Sequence, residues 1–327
     1  MSKNKVIALA LASSVAWAAG PAQAEDATYT VVIENDYVFN QDRDYSSGFQ
    51  LDYVSPAKQG RDGLTGRIAR DVLQATGSDP VRKRIAVGQY IFIPEDTSSP
   101  GTPDGQHPYA GFLYGTYGVL AQKGQDRLDS FHIQVGLTGE PSLAEEVQDV
   151  FHNAFGDDEA QGWDSQLDTE LAFAATYDQA RKYPVFQWGD LESEVIANAG
   201  LTAGTLLTQA HVAANWRLGF DLGDDFGPVK LYPYVSAGQW DNQSRLSGYI
   251  YLGGTVRAVA RDIFLDGNSF SDSESVDKEF FVPDWNAGAV VQLGVAQVSF
   301  TYQERGQSYE TQDTPHKTAS VNFSLGL

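Results

Sequence analysis

The chain has 327 residues, with 43 acidic side chains against 22 basic ones and a formal net charge of −21; such an acidic balance argues against a nucleic-acid partner. One methionine and no cysteine stand beside 32 glycines, 16 tyrosines and 17 phenylalanines. That composition suits a strand-rich barrel with aromatic girdles and tight turns better than a helical bundle, and the lack of thiols suits export into an oxidising compartment.

Residues 1–24 read as an export signal, with Lys3 and Lys5 as a basic start, an apolar run from Val6 to Ala18 and a small-residue exit at Ala22-Gln23-Ala24. Residues 25–327 then form one domain. Beyond the signal no stretch approaches the ~20 apolar residues of a membrane helix, so the mature chain is soluble or crosses the bilayer as strands. Period-two runs favour strands. Phe49, Leu51 and Tyr53 alternate with Gly48, Gln50 and Asp52, and Val298, Phe300 and Tyr302 with Gln297, Ser299 and Thr301. The final run places Ala319, Val321, Phe323, Leu325 and Leu327 opposite Ser320, Asn322, Ser324 and Gly326, an outward apolar row over an inward polar one. Further strands are expected near 29–35, 84–93, 111–121, 128–138, 166–177, 189–204, 208–220, 229–240 and 281–293, twelve in all, and an even number is what a single-chain bacterial barrel needs. Long connections at 94–110, 139–165 and 241–280 are expected outside the cell. One of them should hold a helix over 142–155, with Ser142 and Glu145 as a capping box, Gly156 as its stop and Leu143, Val147, Val150 and Ala154 as its packing face. The predicted fold class is all-β, a 12-stranded antiparallel transmembrane barrel with a short extracellular helix.

Two polar clusters should meet at one rim. The first strand runs into Glu34-Asn35-Asp36 and the second begins at Asp44-Tyr45-Ser46-Ser47-Gly48, so antiparallel pairing brings them together. Carboxylate, amide and hydroxyl oxygens are hard donors that suit Ca²⁺; the same residue types also build a plain hairpin turn. On the helix, Gln148 and His152 lie four apart and share a face.

These blocks resemble the lipid A 3′-O-deacylase family of outer-membrane β-barrels. The resemblance is carried by Glu-Asn-Asp at 34–36, Asp-Tyr-Ser-Ser-Gly-Phe at 44–49, Pro-Tyr-Ala-Gly-Phe-Leu-Tyr at 108–114, Glu-Val-Gln-Asp-Val-Phe-His at 146–152 and Gly-Trp-Asp-Ser-Gln-Leu at 162–167. Arg-Asp-Ile-Phe-Leu-Asp-Gly-Asn-Ser-Phe at 261–270 and Ser-Val-Asp-Lys at 275–278 complete it. It implies a barrel in the Gram-negative outer membrane whose site lies between the wall and an extracellular helix and acts on lipid A, a component of lipopolysaccharide. A monomer is expected. By position the resemblance puts an Asn-Asp pair on Asn35 and Asp36, a hydroxyl on Ser46 where Thr is the characterised residue, a helix pair on Gln148 and His152, and an acid near Asp158.

The expected chemistry is ester hydrolysis, with His152 as general base to water, Gln148 positioning it or the substrate, and Ca²⁺ held near Asp36 with Asn35, Ser46 and Asp158. The alternative of a serine nucleophile at Ser46 or Ser47 ranks lower, because the chain has no Gly-x-Ser-x-Gly elbow. An outer-membrane phospholipase should carry a His-x-Ser-Asn-Gly type of motif, which is absent. A non-catalytic barrel that binds lipopolysaccharide or serves as structure is the third reading. It draws on a departure from the family pattern: residues 95–111 contain no Lys or Arg, and His107 stands where relatives often carry Arg.

Overall fold

Strand after strand, one face of this sequence is apolar and the other polar, and the two faces can be satisfied together only if the sheet closes on itself with polar groups inside. A computed structural model, which describes residues 27–58, 63–155, 159–223, 225–233 and 246–327, shows that closure. Twelve antiparallel strands run β1 (Thr28–Asn35), β2 (Asp44–Val54), β3 (Val81–Ile93), β4 (Ala110–Lys123), β5 (Arg127–Thr138), β6 (Leu171–Trp188), β7 (Leu191–Gly204), β8 (Leu207–Phe220), β9 (Leu246–Asp262), β10 (Phe281–Leu293), β11 (Ala296–Arg305) and β12 (His316–Gly326). Each pairs with its sequence neighbours, and β1 pairs with β12 from Thr28↔Gly326 to Asn35↔Ala319. The outward row includes Phe49, Leu51, Val87, Ile250, Leu252, Val298 and Phe300, all exposed, as a lipid-facing belt requires. The inward row is buried and polar: Gln50, Asp52, Arg84, Thr116, Gln134, Arg257, Asp284, Thr301, Ser320 and Asn322.

The strand expectation fails in one place. The run 229–240 is not a wall strand: residues 225–233 enter the lumen, where Asn322 Nδ2 donates to the Val229 carbonyl at 2.8 Å, Arg305 Nη2 to that of Tyr232 at 2.9 Å and Gln209 Nε2 to that of Pro233 at 2.9 Å; residues 234–240 lie outside the described residues. The missing strand is β9, inside the stretch read as one long connection at 241–280. Its luminal residues Tyr249, Tyr251 and Arg257 are bulky and its outward ones include Gly248 and Gly254, so its alternation is faint. Apolar content in the lumen-filling segment mimicked a strand instead.

Among the described residues three α-helical pieces accompany the wall: α1 (Gly63–Arg67), continued by a π-turn over Ile68–Val72, α2 (Ala144–Phe155) and α3 (Ile263–Asp266). α1 lies toward the barrel end where Ala27 and Leu327 meet, and α2 lies at the other end. Both sit on the outside of the barrel. Ile68, Ala69 and Leu73 cover Val119 and Ala121, outward residues of β4. Ala144 joins a cluster with Ile91, Ile93, Tyr109 and Trp163. Gly111 makes that approach possible, because a Cβ there would collide with Ser142 and Ala144. Burial of each large side chain in such a cluster is worth about 1.5–3 kcal/mol relative to exposure.

The helix begins two residues later than expected and without the capping box. Ser142 ends a 3₁₀ turn, its hydroxyl is buried without a partner, and Leu143 adopts φ 58° before the helix starts. Its packing face is also not the expected one. Leu143 and Val150 point away from the barrel, at 50 % and 69 % exposed, Val147 is partly buried, and Ala144, Gln148 and His152 face the wall. Gly156, its expected stop, lies outside the described residues, and of the Ala154 side chain nothing is described.

Candidate active site

The loop between β1 and β2 is short, so the end of one strand and the start of the next must share a rim. Asn35 lies opposite Ser47, and the Asp36 N–H donates to the Ser46 carbonyl at 3.2 Å. The β2–β3 register shifts between Tyr45 and Ser47, which makes Ser46 the extra residue of a bulge. Bulges commonly re-aim a side chain beside active sites. Ser46 Oγ donates to Asp42 Oδ1 at 3.2 Å, and the other oxygen of the same carboxylate, Oδ2, lies 3.3 Å from His152 Nε2. Asp42 thus ties the rim loop to α2 and connects two residues that the sequence singled out separately. Asp42 is not a residue the sequence singles out, because it sits in a polar turn that looks like any other.

Gln148, one turn before His152, is held by Trp163, whose Nε1 donates to Gln148 Oε1 at 2.9 Å. That fixes the amide and leaves Nε2 buried without a hydrogen-bond partner. Such a donor costs about 1–3 kcal/mol if it stays unmet, so it is poised for an acceptor that arrives from outside the chain. Trp163 leans on Tyr109 with ring centroids 5.0 Å apart, and the Leu167 N–H donates to the Tyr109 carbonyl at 3.0 Å. The motifs at 108–114 and 162–167 therefore act as the mounting of α2.

Asp36 is 1 % exposed and accepts the Arg43 backbone N–H at Oδ2, 3.1 Å. Burial pushes its carboxyl well above the usual range, the Arg43 N–H offsets this in part, and the charges of Asp42 and Asp44 add to the rise. A cation beside it is what would keep it ionised. Among the described residues no three His, Cys, Asp or Glu side chains form a ready metal cluster. A calcium ion would therefore draw on hard oxygens of other kinds as well, and Asp36 with the neighbouring Asn35 amide and Ser46 hydroxyl is a donor set of that chemistry. Asn35 Oδ1 accepts the Tyr37 N–H at 2.7 Å, which holds the amide at the rim. Asp158, the fourth expected ligand, lies outside the described residues.

His107 does not act as the missing cation. It is buried, stacks on Phe92 at 5.1 Å and contacts the Pro108 carbonyl through Nδ1 at 2.8 Å, and burial lowers its basicity. A positive charge the rim does hold is Arg43, which reaches Glu95 at 3.5 Å and the Thr314 carbonyl at 3.3 Å. Below it Asp44 is fixed by Tyr309 Oη at 2.7 Å and Gln312 Nε2 at 2.8 Å. An aromatic layer of Tyr45, Tyr90, Phe92, Phe112 and Phe264 with Tyr232 closes the lumen beneath, Phe92 and Phe264 stacking at 4.2 Å.

No curated protein sequence matches this chain. Among solved structures, LpxR from Salmonella typhimurium superposes with a TM-score of 0.73 at 15 % identity over 92 % of this chain and 100 % of that one, which shows a shared fold. The beta domain of the Bordetella autotransporter Brka follows at 0.43 and 9 % identity, covering 93 % and 99 %, too low to carry an argument. The family model "Outer membrane protein LpxR" matches residues 6–327, and the chain belongs to the LpxR family of outer-membrane β-barrels.

Proposed function

We propose that this protein is a calcium-dependent outer-membrane esterase that removes the 3′-O-linked acyl group of lipid A, with His152 as general base to water. The observation that carries the reading is the place where His152 meets the rim loop. The contact through Asp42 to Ser46 lies between α2 and the outer surface of the wall, where a lipid in the outer leaflet presents its ester. The α2 end then faces the cell exterior.

An imidazole with pKa about 6.5 in its ordinary state accepts a proton at neutral pH. Asp42 orients the ring and stabilises the imidazolium that forms when water is deprotonated. The unmet Gln148 Nε2 donates to the ester carbonyl or to the oxyanion that develops on it. Asp36, with Asn35 and Ser46, would hold Ca²⁺, which when bound supplies Lewis-acid stabilisation of that oxyanion. Ser46 is a positioning group in this scheme, since its hydroxyl donates to Asp42 rather than to the base.

The test is expression in cells that make hexa-acylated lipid A, with the lipid weighed by mass spectrometry. Loss of the 3′ acyl group is expected. His152→Ala should slow it by about 10²–10⁴-fold, and chelation of calcium should stop it. Unchanged lipid A with released phospholipid fatty acids would assign the site to phospholipid instead, and no change in either lipid would leave a non-catalytic barrel.

A further inference from the structure

The two helical elements docked on the outside of the wall leave a bounded window between them. On β4 the outward residues in order are Gly111, Leu113, Gly115, Tyr117, Val119 and Ala121. Gly111 is covered by Ser142 and Ala144 of the α2 segment. Val119 and Ala121 are covered by Ile68, Ala69 and Leu73, and Tyr117 Oη is tied to Thr65 Oγ1 at 2.6 Å. Leu113 and Gly115 stay open between them. Gly115 lies in one lateral row with Val87 and Val135, which are 50 % and 40 % exposed. Where its Cβ would stand nothing lies within 4 Å except the Ala86 carbonyl oxygen, at 3.9 Å. Two β-branched walls thus flank a floor that lacks a side chain.

We propose, resting on the deacylase reading, that this window is the track of the scissile ester's acyl chain and that the Thr65–Tyr117 contact closes its far end and so limits chain length. The track is continuous with the lipid-facing belt, and its near end lies under α2, where the buried Gln148 Nε2 lacks a partner. From Gly111 to Tyr117 the strand advances six residues, about 20 Å at roughly 3.3 Å each. A hydrocarbon chain with C–C bonds of about 1.5 Å advances roughly 1.25 Å per carbon when extended, so about sixteen carbons fill that length. Only about ten fit above Gly115, roughly 13 Å down the strand.

The experiment compares full-length protein in detergent on lipid A analogues whose 3′ ester chains have about eight, about fourteen and about twenty carbons. Gly115→Trp should lower kcat/KM for the fourteen-carbon chain about tenfold or more and leave the eight-carbon chain unchanged. Tyr117→Ala should raise the rate on the longest chain relative to the fourteen-carbon one. Val298→Trp, on the outward face of β11 away from the window, should change none. Equal effects of Gly115→Trp on the short and fourteen-carbon chains, or none on either, with chain-length preference unmoved by Tyr117→Ala, would overturn the track. If the unaltered protein hydrolyses no analogue, the deacylase reading falls by itself. The track is then judged by native mass spectrometry of the fourteen-carbon analogue bound to His152→Ala: loss of binding on adding Gly115→Trp supports it, and equal retention overturns it.

Discussion

The lumen and the crevice under α2 both bury charged groups, and they treat them differently. In the lumen acid meets base: Arg84 Nε donates to Asp52 at 2.7 Å, Arg257 Nε to Asp284 at 2.7 Å and Arg217 Nε to Glu194 at 2.6 Å. At the rim beside α2, Asp36, Asp42 and Asp44 gather near one arginine, Arg43, with the buried His316 3.9 Å from Asp36 and 3.8 Å from Asp44, and burial raises the Asp36 carboxyl. Paired charges hold the barrel, whereas an excess of one sign beside a fixed, unmet amide donor is an arrangement that awaits a ligand. The comparison teaches where to look for function in a barrel lined with polar residues: not where buried charges are most numerous, but where their pairing is incomplete.

The largest effect expected from breaking this comparison comes at Gly111. A valine there must displace Ser142 and Ala144, which lifts α2 and carries His152 away from Asp42 while the β3–β4 ladder stays intact. A displacement of about 1 Å costs on the order of 10²-fold in turnover. Gly111→Val should therefore lose deacylation by about that factor with an unchanged strand spectrum by circular dichroism, and full activity would show that the seat of α2 is irrelevant to the chemistry. Next comes Asp42→Asn, which keeps the shape and removes the charge facing His152. A loss of about 10- to 100-fold is expected, as for other groups that orient a functional residue, and an unaltered rate would remove Asp42 from the scheme.

Ser46→Ala is the smaller and more discriminating change. A nucleophile replaced by alanine costs roughly 10⁶-fold; a hydroxyl that donates to Asp42 and would be one weak, neutral oxygen beside Asp36 and Asn35 for Ca²⁺ costs far less, about 1 kcal/mol or roughly fivefold for the hydrogen bond. Single-turnover rates on the purified protein separate the two outcomes without ambiguity, and a loss of the larger size would return Ser46 to the role of nucleophile.

How far the sequence discloses all this depends on which solvent a surface faces. The strands were legible wherever an outward Phe, Leu or Val alternates with an inward polar residue, as at Phe49–Tyr53 and along β12, because lipid outside and polar contacts inside enforce period two. β9 was not, since Gly248 and Gly254 thin its outer row and tyrosines fill its inner one. The packing face of α2 differs from the one its sequence predicts. The rule that a helix packs through its apolar stripe does not hold here: Leu143 and Val150 point away from the barrel, and Ala144, Gln148 and His152 turn to the wall. Asn35, Asp36, Ser46, Gln148 and His152 were visible as motif residues. Asp42 and Gly111, which bring them together, act through a register shift and a close approach that only the folded chain contains.

The other side of the comparison is tested in the lumen, where the expected effect on chemistry is nil. Arg84 and Asp52 are 1 % and 5 % exposed; the Gln50 amide also donates to Asp52 Oδ2, at 3.0 Å, but it carries no charge to replace that of Arg84. Arg84→Met strands the Asp52 carboxylate and should cost about 3–5 kcal/mol of stability, read as a lower urea midpoint for loss of barrel structure in detergent. The double change Arg84→Met with Asp52→Leu removes both charges and should recover most of that cost. In both variants turnover per folded molecule should equal that of the unaltered protein, because the aromatic layer of Tyr45, Tyr90, Phe92 and Phe264 stands between this pair and Asp36. If Arg84→Met instead slowed deacylation at unchanged stability, the lumen would be part of the site, and incomplete pairing would no longer distinguish the catalytic region from the scaffold.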